Sequence, residues 1–194
     1  MRYSKSDFPT DQVRRFLEPG PIVLVSSAWK GQRNIMTMGW HMVMGFSPSL
    51  VATYIWDENH SHELVRRSGE CVINLPMVEL LDTVVGIGNC SGAELDKFEH
   101  FGLDAVPGTH VGAPLIAQCH ASFECRLHDA SQVRRHNLFI WEVVKAHVAS
   151  AEDPAHRALL WRWAVHGRWR GGIASQAVQT GDAVIARLPA GNRA

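Results

Sequence analysis

Side chains able to hold an anion fall close together in the chain. Asn34 and Thr37 stand in the run NIMT, and His60 and Ser61 precede a short periodic segment. Residues 62–67, followed by Gly69, read as a short helix with a glycine C-cap, and Ser61 or Asn59 is its expected N-cap. A helix start offers free N–H groups, and a hydroxyl and an imidazole beside them make an anion site, so a phosphate fits there opposite Asn34 and Thr37. The same residues also read as an ordinary capped turn. Lys97 and Phe98 are neighbours on a later expected helix and diverge in direction, so one can face a ligand while the other anchors the core. His136 follows the basic pair Arg134-Arg135 and opens an apolar run, which places an imidazole at the rim of a sheet.

The elements that position these groups are mostly strands. Residues 22–27 form a strand, Lys30-Gly31 a turn, and 34–37 leave that turn into a methionine-rich apolar run. Methionine adapts its shape and packs softly on aromatic faces, so 36–46 suits the border of a planar ring as well as a core cluster. Ser47-Pro48 breaks the chain, and 50–56 is a fresh strand of β-branched and aromatic residues. Strand composition returns at 70–75, in 115–127 as one long strand or a pair, and in 136–148, which is apolar on both faces. Between them lie a core-facing helix over 78–85, a Gly- and Pro-rich loop over 104–114 and a polar turn over 128–135. Ser91 and Glu94 form a capping box that starts a helix through Leu95, Phe98 and Phe101. An amphipathic helix is expected over 7–17, and a last helix, unusually aromatic at Trp161 to Trp163, over 155–165.

Several classes are excluded. Lys and Arg number 19, as do Asp and Glu, so no basic surface calls for nucleic acid or an anionic membrane. No run approaches the about 20 apolar residues that span a bilayer, and the expected location is the cytoplasm. The four cysteines show no CxxC spacing. On a strand Cys119 and Cys125 would lie about 20 Å apart, too far to share an ion, so no metal is expected. Gly86 and Gly88 open a GxGxxG, but Ser91 replaces the third glycine and a helical pattern precedes it, which rules out a dinucleotide fingerprint.

Four blocks in order, NIMT at Asn34, SPSLV through His60-Ser61, SGECVINLP from Ser68 and SGAELDKF from Ser91, with HNLFIWEVVKAHV from His136 as a fifth, resemble the flavin reductase-like, FMN-binding split-barrel family. That family includes flavoredoxins and the reductase partners of two-component monooxygenases. The resemblance covers about residues 19–169 and implies a mainly β fold, a six-stranded antiparallel Greek-key split barrel with flanking helices. It implies one domain over 1–172 and a tail or dimer arm over 173–194. The implied cofactor is FMN, held by Asn34, Ile35, Met36, Thr37, Tyr54, Ile55, His60, Ser61, Lys97 and Phe98. NADH or NADPH is the implied electron donor, with His136 touching the reductant, and the activity is that of an NAD(P)H-dependent flavin reductase. An FMN-holding electron carrier or redox sensor without a nicotinamide site is the alternative, and a barrel that has lost flavin is a third. The implied assembly is a homodimer, with free flavin or a redox partner protein as acceptor. Two departures stand out: Arg135 replaces an acidic residue often found before the histidine, and Cys71 replaces a frequent aromatic.

Overall fold

A computed structural model describes residues 4–13 and 21–149. The helix expected over 155–165, the glycine-rich segment over 167–172 and the arm over 173–194 lie outside them.

The strands are β1 (Ser6–Phe8), β2 (Val23–Trp29), β3 (Gln32–Met38), β4 (His41–Phe46), β5 (Ser49–Tyr54), β6 (Glu70–Leu75), β7 (Ala105–Val106), β8 (Leu115–Ile116), β9 (Ala121–Asp129) and β10 (Leu138–Val148). The helices are α1 (His60–Ser68), α2 (Leu81–Gly88), α3 (Lys97–His100) and α4 (Val133–His136). One antiparallel sheet has the order β3-β2-β6-β9-β10-β5-β4, with β1 added to β10, and β7 and β8 form a separate pair. Eight strands therefore pair in place of the six expected, because β4 and β1 extend the ladder. β5 and β6 follow each other in the chain but flank the β9–β10 hairpin, and the connection carrying α1 crosses between them. That crossing gives the sheet its Greek-key character.

Both faces of the central strands are covered, which is why their sequences are apolar almost throughout. Val23 and Val25 of β2, Ile73 of β6, Phe123 of β9 and Phe139 and Trp141 of β10 fill the inside together with Val65 of α1. Leu24 and Ile35 point the other way and meet Val84 and Ile87 of α2 and Phe98 of α3. A side chain such as Phe123, fully buried, contributes about 1.5–3 kcal/mol through burial alone. α1 packs against β2, β3 and β6, and Gly69 ends it in the left-handed conformation at φ 66°, where a residue with a Cβ is strained.

The loop from β7 to β8 is strapped to the outer face. Glu124 of β9 is fully buried and accepts hydrogen bonds from the backbone N–H groups of Thr109, His110 and Val111 at 3.1, 2.6 and 2.9 Å. The Thr109 hydroxyl and His147 Nε2 bind the same carboxylate, each at 2.7 Å. Burial pushes the Glu124 carboxyl up, and these donors outweigh it, holding the group down at about 2. Val144 of β10 packs against the cluster that this loop forms with Val72, so the second apolar face of β10 is covered in part by the chain itself.

Several expectations need correction. Residues 7–17 do not form one helix: β1 is followed by a 3-10 turn at Thr10–Gln12, while 14–17 are outside the described residues. The free end of β10 claims β1, with Phe8 opposite Ala146, and Pro9 keeps the chain extended there. The run NIMT lies in the middle of β3 and not at a turn, since the strands zip directly from Trp29 opposite Gln32. The helix expected from Ser91 starts at Lys97, because Asp96 supplies the cap: its Oδ1 accepts from Phe98 N at 2.8 Å and Glu99 N at 3.3 Å. His136 ends α4, and β10 begins only at Leu138.

Candidate functional site

The β2–β3 hairpin, the start of α1 and the loop after α2 converge. β3 alternates, so Asn34, Met36 and Met38 face the barrel side while Ile35 and Thr37 face α2. Asn34 thereby meets the first turn of α1, where its Nδ2 donates to Ser61 Oγ at 2.8 Å. Both side chains are buried, and Asn34 Oδ1 has no hydrogen-bond partner among the described residues. The N-cap of α1 is Asn59, whose side chain makes no capping bond, so the helix start keeps its partial positive charge uncapped by a side chain. Gly92 lies so close that a Cβ there would collide with the Asn34 amide.

Above these groups runs a polar groove of about 590 Å³, lined among others by Arg33, His60, Gly92, Glu94 and Asp96. Arg33 Nε and Nη2 donate to Asp96 Oδ2 at 2.9 and 2.8 Å, and the guanidinium lies 4.8 Å from the centre of the Phe98 ring. Burial pushes the Asp96 carboxyl up, but Arg33 and the N–H groups of Phe98 and Glu99 win and lower it. The arrangement can hold an anion on helix N–H groups, a hydroxyl and an amide, with a guanidinium and an imidazole at the rim.

The expected site residues divide into two groups. Asn34 and Ser61 meet in the interior, His60 beside Ser61 lines the groove, and Met36 lies half-buried on the barrel side of the same strand as Asn34. Thr37 does not join them: its hydroxyl donates to Val84 O at 2.6 Å and ties β3 to α2. Lys97 is 5% exposed and donates to Ile87 O at 2.8 Å, so its ammonium caps the end of α2; burial lowers its pKa. Ile35, Ile55 and Phe98 are core residues with at most 1% exposure, leaving only their backbones for a ligand. Tyr54 is half-buried at the end of β5, its ring centre 5.1 Å from that of Trp40.

His136 is exposed, and the next residue reaches toward α1. Asn137 adopts φ 54°, accepts from Ile55 N at 3.0 Å and donates from Nδ2 to Asp57 Oδ1 at 3.2 Å. Arg33 escaped the sequence reading; it could have been found from the D-x-x-E pattern at Asp96, which marks the true start of α3 and the partner Arg33 needs. Among the described residues no cluster of three metal-ligand side chains occurs, and no helix is long and apolar enough to cross a membrane.

The flavin reductase like domain model matches residues 14–166. The chain therefore belongs to the flavin reductase-like family, and its antiparallel sheet is that family's split barrel. An uncharacterized protein of Archaeoglobus fulgidus is 35% identical over 111 residues, 57% of this chain and 63% of its own length. The crystal structure of an FMN-binding domain of a flavin reductases-like enzyme from Shewanella baltica is similar with TM-score 0.72 and 26% identity, over 77% of this chain and 79% of that one. Flavoredoxin of Desulfovibrio vulgaris is similar with TM-score 0.63 and 26% identity, over 66% of this chain and 69% of its own.

Proposed function

We propose that this chain binds FMN and acts as an NAD(P)H-dependent flavin reductase. The observation that carries this is the Asn34–Ser61 pair at an uncapped helix start, where a hydroxyl and free helix N–H groups meet, inside a flavin reductase-like barrel. These residues fit the phosphate end of a flavin. Ser61, the first N–H groups of α1 and His60 donate to the dianion, and Arg33 adds charge from the groove wall. Bound flavin supplies the hydride and single-electron chemistry; the protein supplies position and excludes water. Hydride transfer needs donor and acceptor atoms about 3.5 Å apart, and the role proposed for His136 is to position NADH or NADPH from the rim next to Asn137.

The assembly proposed is a homodimer with each flavin near the subunit boundary. Support comes from β4, whose Met42, Met44 and Phe46 are 58, 47 and 60% exposed in a strand without charge apart from its histidine. An exposed apolar strand at a sheet edge calls for a cover. Light scattering at micromolar concentration reads this directly, and a monomer mass removes it. The reading in which the protein carries electrons for a partner protein rests on the likeness to flavoredoxin.

The test is an absorbance spectrum of the purified protein, before and after FMN, followed by anaerobic addition of NADH and then NADPH. Bound FMN bleached by either nicotinamide is the expected result. Bound FMN that neither reduces makes the protein a carrier, and a sample that stays colourless with FMN ends the flavin reading.

A further inference from the structure

A second groove, of about 670 Å³, opens on the β2 side of the β2–β3 hairpin. Its size is within the range of small-molecule sites. It shares Gly31, Gln32 and Arg33 with the polar groove at the start of α1, so the two meet at the hairpin end. Trp29, Lys30 and Glu70 line the second groove alone, together with Pro107 and Pro114 of the β7–β8 loop.

These walls are fixed by their neighbours. Trp29 pairs with Gln32 across a two-residue turn in which Lys30 and Gly31 adopt φ 49° and 81°. Asparagine, aspartate or glycine is the usual residue at the first of these positions. Lysine there sets an ammonium at the hairpin tip, without an ion pair among the described residues and 5.8 Å from the centre of the Trp29 ring, which is 38% exposed. Ser26 Oγ donates to Pro114 O, and Glu70 Oε2 accepts from Gly112 N at 2.7 Å, so the loop is held against the sheet. The other Glu70 oxygen has no hydrogen bond among the described residues.

An indole face, an open carboxylate oxygen and two cations complement an adenosine phosphate. A base stacks on the ring, its amino group or the ribose hydroxyls donate to the carboxylate, and phosphate oxygens accept from the cations. The passage between the grooves is open, since a Cβ on Gly31 would meet nothing within 4 Å. Crossing from β3 to β2 covers one strand spacing, about 4.8 Å, which a pyrophosphate and its ribose span.

We propose that the second groove is an adenylate subsite and that FAD binds across the hairpin end, with its flavin half in the first groove, its pyrophosphate over Gly31 between Lys30 and Arg33, and its adenine on Trp29. This rests on the flavin reading above and adds the second half of the ligand to it. FMN fills the first groove alone and gains nothing from Trp29.

Calorimetric titration of the full chain with FMN and with FAD is the test. FAD is expected to bind at least tenfold tighter than FMN. Trp29→Ala is expected to cut FAD affinity at least fivefold and to leave FMN affinity within twofold of wild type. AMP, which carries the same half, is expected to weaken FAD binding and to leave FMN in place. FAD affinity within twofold of FMN in the wild type overturns the proposal, as does a Trp29→Ala protein that keeps the full preference for FAD. Loss of NADPH binding in Trp29→Ala at unchanged FAD affinity would give the groove to the nicotinamide dinucleotide, and it overturns the proposal too. If Trp29→Ala does not fold, the ratio of the two flavin affinities and the AMP competition in the wild type decide alone. A wild type that binds neither flavin sinks the flavin reading itself, whereas one that binds both equally leaves that reading standing and removes only the subsite.

Discussion

Asn34 Nδ2 donates to Ser61 Oγ at 2.8 Å, joining the middle of β3 to the first turn of α1 across 27 residues of sequence. The pair is buried, and it holds the Ser61 hydroxyl at the helix start. Asn34→Ala and Ser61→Ala are each expected to weaken FMN binding about tenfold, equivalent to about 1.4 kcal/mol and the scale of one hydrogen bond to a charged group. Because the two side chains touch, the double variant should lose less than the sum. Fluorescence titration measures this, and Asn34→Ala binding within twofold of wild type would place the phosphate elsewhere.

Lys97 gives a sharper contrast. Its ammonium holds Ile87 O, so Lys97→Met is expected to lower stability by about 1–2 kcal/mol while FMN affinity stays within twofold. Denaturant melts and FMN titration together decide the matter. A tenfold loss of affinity at unchanged stability would put the ammonium on the phosphate, as the family resemblance implies.

His136 is exposed at the end of α4. His136→Ala should therefore slow the stopped-flow reduction of bound flavin by NADH or NADPH, by tenfold or more, and spare FMN affinity. An unchanged rate removes it from the mechanism.

Glu124 sets an acid limit. Its carboxyl is held at about 2, below the ordinary 4.5, so the stabilisation is fully present above about pH 4.5 and is lost as pH falls toward 2. The shift corresponds to at most about 3 kcal/mol. Glu124→Gln should melt lower than wild type at pH 7, and the gap should close on acidification. A gap that stays constant from pH 6 to pH 3 contradicts the strap.

Local patterns were legible wherever neighbours in sequence set the structure. The strand expected at 70–75 is β6 residue for residue, the two-residue turn at Lys30-Gly31 closes its hairpin, and Gly69 ends α1 as its position after a periodic run implies. The helix after Ser91 was misplaced because two capping patterns overlap there. Ser91 does bind Ala93 N at 3.2 Å, but only Asp96 has both the following N–H groups and Arg33 to hold it.

The sequence by itself determined the alternation of the strands, the anion-ready start of α1 and the family. Those follow from residue type and spacing over a few positions. What the donors do was decided by the tertiary structure. Thr37 and Lys97 have the chemistry of phosphate ligands, yet α2 lies across the outer face of β3 and offers them the carbonyls of Val84 and Ile87. Asn34 faces the opposite way by one step of strand alternation and meets Ser61. Asn137, the residue before β10, donates to Asp57, 80 residues away in the chain, and Phe139 packs edge-on against His62. No short-range period encodes such pairings, because they arise only when the β9–β10 hairpin inserts between β5 and β6 and brings the start of β10 beside α1.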